Sequence, residues 1–288
     1  MNELDPDARV MREPVIERPP AAIRAGDLAR VATRALQIQA FLSPERMQGL
    51  GFGFSLLPVI RRIYPDPKAR GVALRRHLHY FATHPVLAGF VLGAAARLEE
   101  RRANGAALTD DGIDSYKRAL ASPLAALGDP LFWVTLRPLA GLLGVIAVAV
   151  LPHPPEGEPD LRVLLCPLVL VLTYNAVALP YRWIGVSRGY EHADRPDVLL
   201  RSLRLAELKT FLERAGAFAF GGLLALLAAG LDIPSSAWGR QAGGRVLELT
   251  PLLLGGLVGF VGMRRWPARS VEVGLAALFA GAILAAAR

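Results

Sequence analysis

The sequence predicts an all-α integral membrane protein. Amphipathic helices fill its N-terminal part, re-entrant or broken helical hairpins follow, and about five transmembrane or near-transmembrane helices complete it. Three observations carry this prediction. Of the 288 residues, 53% are hydrophobic and only 20% charged, with a mean hydropathy of +0.35, which is more apolar than a water-soluble domain. The apolar residues gather in runs at 131–151, 163–181, 215–231, 249–263 and 273–287, of which only the first holds a charge, Arg137. Lys and Arg cluster between such runs, as they do in cytoplasmic loops.

Taken in order, residues 1–26 are polar and Pro-rich without an apolar core, so they read as a disordered cytoplasmic tail and not as a signal peptide. Residues 27–288 form one membrane domain, divided into 27–121 and 122–288. From residue 27, apolar residues recur at helical spacing among Arg and Gln, then give way to "GLGFGFSLLPVI", which is too short to span. The same pattern returns at 85–96 and at 119–127, just before Gly128-Asp129-Pro130. Short apolar pieces broken by Gly, Pro and charge predict re-entrant hairpins around a cavity, the kind of broken helix that marks substrate sites in transporters.

The runs 131–151 and 163–181 are long enough to cross a hydrocarbon core of about 30 Å at 1.5 Å per residue. The three later runs are marginal, and their Gly and Ala content favours close helix contact over lipid exposure. Segments 60–79 and 97–118 hold six and five Lys or Arg, and predict cytoplasmic loops. The loop "PHPPEGEPD" holds none and predicts an outer turn, which makes 131–151 an outward span and 161–184 its return.

Other signals are weaker. The net charge of +8 is unaccompanied by any nucleic-acid recognition motif. Cys166 is the sole cysteine and reads as a small buried hydrophobe. His77, His79 and His84 lack metal-ligand spacing and read as cytoplasmic or interfacial histidines. "DDGID" at 110–114 matches the D-D-x-x-D pattern of isoprenoid-processing enzymes, but no second acidic motif accompanies it and it serves better as a helix start. Glu99, Glu100, Arg101 and Arg102 read as a solvated or docking face on a cytoplasmic helix.

Three segments, "PERMQGLGFGFSLLPVIRRIYPD" at 44–66, "RRHLHYFATHPVLAGFVLGAAARLEERRANG" at 75–105 and "SPLAALGDPLFWVTLRPLAG" at 122–141, resemble the IID membrane subunit of mannose-type sugar phosphotransferase systems. The resemblance implies a multi-pass subunit of the bacterial inner membrane with a cytoplasmic N-terminus. It would pair with a IIC subunit and assemble as an oligomer of IIC–IID pairs. Together they would bind and move a hexose or amino sugar, which a separate IIB protein, recharged by IIA, phosphorylates. This chain would carry no phosphoryl group, catalytic residue, metal or cofactor. Phe41, Leu42, Ser43 and Pro44 depart from the aromatic and amide residues usual before E-R-M-Q, and Ala82 departs from Phe-Asn-Thr. These departures motivate a second reading, a non-transporting membrane scaffold or regulatory partner.

Against that background, Glu45, Gln48, Thr83 and Asp129 are the expected substrate-binding residues, and Gly128, Pro130 and Arg137 the structural or gating ones. Glu45 and Gln48 share a face if their stretch is helical, and carboxylates and amides read sugar hydroxyls; Ser43-Pro44-Glu45 also reads as a helix start. Asp129, with Pro130 at a first helical position, is expected either to cap the next helix or to meet sugar hydroxyls at the mouth of a broken helix. Arg137, inside the longest span, requires a carboxylate from this chain or from IIC.

Overall fold

The computed structural model describes residues 21–151, 154, 155 and 159–230. The runs expected at 249–263 and 273–287, and the tail before residue 21, lie outside the described residues. What is described is helical apart from isolated bridges joining Ser43 to Met47 and Met47 to Phe81. The elements are α1 (Ala25–Ala35), α2 (Gly49–Ile63), α3 (Pro67–Arg75), α4 (Ala88–Ala103), α5 (Asp110–Gly128), a π-helical segment (Asp129–Leu136), α6 (Arg137–Ala149), a 3-10 turn (Leu161–Leu164), α7 (Leu165–Glu191), α8 (Pro196–Ser202) and α9 (Leu205–Gly230).

Local chemistry sets the helix starts. Asp66 accepts a hydrogen bond from Ala69 N–H at 2.8 Å and Pro67 takes the first helical position of α3, a pairing that satisfies a free donor and presets φ. Thr109 caps α5 by accepting from Gly112 N–H at 3.0 Å, which places Asp110 and Asp111 in the first turn, where the helix dipole favours negative charge. On α1, Val31, Ala32 and Ala35 face inward, and the helix lies along α2. Residues 21–24, given by sequence to a disordered tail, dock instead on the end of α4. The Asn104 side chain bonds both backbone groups of Ala21, and Glu100 accepts from Ile23 N–H at 2.7 Å.

The centre of the molecule is α4. Phe90, Val91, Leu92, Ala94, Ala95 and Ala96 have no exposed surface, so the first half of this helix is apolar all round because protein surrounds it. Its main neighbour is α7. Gly89 and Gly93 of α4 meet Gly185 and Gly189 of α7, and a Cβ built on Gly93 or Gly189 would collide with the backbone carbonyl of Val186 or Phe90. Two glycine pairs, each four residues apart, thus bring the helix backbones into contact.

The three short apolar pieces lie largely within helices. The run at 49–60 continues as helix through Arg61 and Arg62, and the run at 85–96 through residue 103. Neither α2 nor α4 is among the helices long and apolar enough to cross a bilayer, and both are buried in protein. At Gly128-Asp129-Pro130 the helix does not break: Asp110–Ala149 is one continuous stretch of 40 residues. Asp129 is itself helical (φ −60°, ψ −49°), not a cap, and Pro130 is not at a helix start. The reason is the π-helical segment. Pro130 has no N–H and its ring crowds the preceding turn, and a widened turn accommodates it. Arg137 N–H bonds the Phe132 carbonyl five residues back, and Thr135 Oγ1 donates to the Pro130 carbonyl at 2.9 Å, the i to i−5 spacing of a π turn.

Among the described residues, Asp110–Ala149 and Leu161–Glu191 are long and apolar enough to cross a bilayer. They run antiparallel, with Gly144 against Cys166 and Gly141 against Leu170. Cys166 is half-buried at this crossing. The run expected from 215 falls within α9 as far as residue 230.

Candidate functional site

Gln48 and Thr83 form a clamp. The Gln48 amide donates to the Thr83 carbonyl at 2.8 Å and accepts from Thr83 N–H at 3.2 Å, while Thr83 Oγ1 donates to the Ala121 carbonyl of α5 at 2.9 Å. Both side chains are buried, and their main polar groups are engaged within the chain. Gln48 precedes α2 and Glu45 is not helical. Residues 43–47 form a tight turn in which Ser43 and Met47 exchange backbone hydrogen bonds at 3.2 and 2.7 Å. Met47 sits at φ 49°, a region costly for a side chain with a Cβ. Glu45 is exposed on that turn and shares no face with Gln48. The expected helix start at Ser43-Pro44 is therefore corrected to a turn, with α2 beginning at Gly49.

The next residue, His84, meets the π segment. Gly128 is obligatory here, since a Cβ would stand 2.6 Å from His84 Cβ. The imidazole stacks on Phe132 with ring centres 4.8 Å apart and meets the edge of Trp133 at 5.4 Å. Its Nδ1 accepts from Val86 N–H at 3.3 Å, and its Nε2 is buried without a partner. An imidazole that accepts at Nδ1 carries its proton at Nε2, so a donor stands unused beside the π turn. Phe132 continues the aromatic cluster to Tyr181 at 6.0 Å and Tyr174 at 6.5 Å.

Asp129, Trp133 and Arg137 lie on the outside of this stretch, all exposed. Arg137 stands over the Trp133 ring, 5.4 Å from its centre. The carboxylate expected for Arg137 is not found among the described residues, and neither is an ion partner for Asp129. The structure thus puts Gly128, Asp129, Pro130 and Arg137 on one continuous helix. It places the Gln48–Thr83 clamp against the same α5 helix and leaves Glu45 apart.

A second cluster was invisible in sequence. Glu99 has no exposed surface and accepts from His77 Nε2 at 2.8 Å and Tyr64 Oη at 2.8 Å, with Arg76 Nε at 3.0 Å. Arg76 and Arg102 both reach Asp110. Lys117, also buried, pairs with Asp114 at 3.3 Å and lies 4.9 Å from the centre of the Phe52 ring. Burial pushes the His77 imidazole below its ordinary value of 6.5, against the hydrogen bond to Glu99. Burial raises Glu99, but the His77 bond, Arg76 and Tyr64 outweigh it and hold the carboxyl below its usual range. Burial and the Glu99 charge push the Tyr64 phenol up. The expectation of a solvated charge face fails for Glu99 and for Glu100, which binds Arg97 and Tyr190. His77 and His84, read as cytoplasmic or interfacial histidines, are buried in the core.

Comparison with known proteins decides the family. The model of the PTS system mannose/fructose/sorbose family IID component matches residues 22–236. The chain belongs to that family. This IID chain is 43% identical over 165 residues to the mannose-specific EIID component of Escherichia coli (strain K12), covering 57% of this chain and 54% of the relative. It is 39% identical over 168 residues to the sorbose-specific EIID component of Klebsiella pneumoniae, covering 58% and 57%. The match thus spans about half the length of these curated relatives. A chain of the cryo-EM structure of the mannose transporter ManYZ with microcin E492 is similar in fold, with a TM-score of 0.53 and 31% identity over 92% of this chain and 98% of that one. A second solved membrane protein gives a TM-score of 0.59 at 30% identity, over 91% and 97%.

Proposed function

We propose that this IID chain is one half of a membrane-embedded sugar permease. With a IIC subunit it binds and translocates a hexose or amino sugar of the mannose type across the bacterial inner membrane. A separate IIB protein, recharged by IIA, then phosphorylates the sugar. The N-terminus is cytoplasmic, the two long helices cross the bilayer, and no phosphoryl-carrying residue is supplied by this chain. The specificities of the relatives, mannose and sorbose, support the substrate class.

The observation that carries the reading is the helix Asp110–Ala149, whose π turn presents a carboxylate and a Trp ring outward beside an unused buried imidazole donor. Aromatic faces cover the apolar face of a sugar ring, and carboxylates and imidazoles bond its hydroxyls. Asp129, Trp133 and His84 are therefore assigned to one wall of the sugar path. Gln48 and Thr83, whose polar atoms bond within the chain, act by holding the wall in place, and Glu45 on its exposed turn is a second candidate contact. An open wall selects nothing until a second subunit closes it. The divergent residues 41–44 lead into and open that turn and leave the Gln48–Thr83 clamp intact, which favours transport over the scaffold reading.

The test is calorimetric titration of the purified chain with its IIC partner, using mannose, glucose, fructose and amino sugars. Saturable binding of one sugar is expected, and Asp129→Ala should abolish it while the complex stays assembled. An intact complex that binds none of them would shift the assignment to a scaffold.

A further inference from the structure

Arg137 sits deep in the span. The contacts of Gly144 with Cys166 and of Gly141 with Leu170 set the register between α6 and α7 and put Arg137 level with Tyr174. Tyr174 stands nine residues into α7, or about 14 Å from its outer start, close to the middle of a hydrocarbon core about 30 Å thick. A cation there costs at least about 2.5–3.5 kcal/mol on insertion scales unless it is neutralised.

The described residues offer Arg137 an aromatic face, from Trp133, and no carboxylate. Beside it on the outer surface, Val134 is 61% exposed and Trp133 40%. Lipid phosphates lie too far off, at the interface. A neutral sugar bonds a guanidinium but leaves its charge uncancelled. What cancels a cation at this depth is a carboxylate carried on another membrane-spanning helix.

We propose that Trp133, Val134 and Arg137 form the docking seam for a membrane-spanning helix of the partner subunit, which presents a carboxylate to Arg137. This rests on the reading above that the chain works beside a IIC-type partner. The seam adjoins the sugar wall, so one partner helix closes the path and pairs the arginine. A lipid-facing arginine is improved by Arg137→Met. A paired one is harmed by it, because the substitution strands the partner's carboxylate in an apolar setting.

The experiment co-expresses the chain with its IIC partner and measures heterocomplex recovered from detergent, against the amount of this chain inserted in the membrane. Arg137→Met and Arg137→Glu should each reduce recovery by about tenfold or more at unchanged insertion, and Arg137→Lys should retain most of it. Neutralising the acidic residues of the partner's spans one at a time should identify one change that restores recovery to Arg137→Met. Unchanged recovery with Arg137→Met would overturn the proposal, as would lost sugar binding in a complex that assembles normally. A wild-type complex that assembles but binds no sugar sinks the transport reading alone, since the docking readout is assembly.

Discussion

Glu99 accepts the His77 Nε2 proton at 2.8 Å, and neither side chain has any exposed surface. Around this bond converge Tyr64 from the end of α2, Arg76 from the end of α3 and Asp110 from the start of α5. The network ties four successive helices at one end of the molecule. A buried carboxylate survives only when its partners cover it, and removing one member strands the others.

Replacing Glu99 by Leu should therefore destabilise the chain by about 3–5 kcal/mol. Thermal unfolding of the purified protein in detergent reads this. Equal stability would show that Arg76 and His77 find other partners.

The same bond makes stability depend on pH. Burial holds His77 below 6.5, while Arg76 and Lys117 face it with positive charge and Glu99 with negative. The unfolded chain then binds the proton more readily than the folded one, so stability is full above pH 6.5 and declines as pH falls below it. Melting temperature should drop between pH 7.5 and about 5.5, and the drop should be smaller in His77→Gln. A flat profile in the wild type would contradict this.

Gly93 and Gly71 should respond oppositely to alanine. Gly93→Ala drives a methyl into the Val186 carbonyl and should cost at least about 1–3 kcal/mol. Gly71, inside α3 with nothing within 4 Å of an added Cβ, should gain about 0.5–1 kcal/mol. Melting of the pair under one set of conditions checks both signs.

At Met47 the backbone, and not the side chain, sets the outcome. With φ at 49°, Met47→Gly should change stability by less than about 1 kcal/mol, because relief of the left-handed strain offsets the added chain entropy. Met47→Ile should be clearly worse, since β-branching tolerates that region least. If both behave alike, the turn is not held in this conformation.

Sequence revealed the long apolar helices and the helix start at Asp110, because these depend on local composition. It misjudged what depends on distant partners. The Glu99-Glu100-Arg101-Arg102 run looks solvated, yet the groups that bury Glu99 lie 22 and 35 residues away. Gly128-Asp129-Pro130 looks like a break, yet a π turn carries the helix through, and nothing in hydrophobic spacing announces a widened turn. Trp133 is absent from the expected site residues, although an aromatic one turn after Asp129 in an apolar run is an available signal. His84 gave none, because a histidine's burial is set by the helix that happens to cover it.

The glycine contacts between α4 and α7 also govern how the chain can move. Backbones that touch at successive turns leave no slack for sliding, since any shear would push Val186 or Phe90 atoms into the opposite helix. These two helices must therefore move as one rigid body in any conformational change. Bending is left to places where the backbone ladder is already loosened, and the eight-residue segment from Asp129 to Leu136 is such a place. On this mechanical view the stretch proposed above as one wall of a sugar path is also the joint about which the helix can bend.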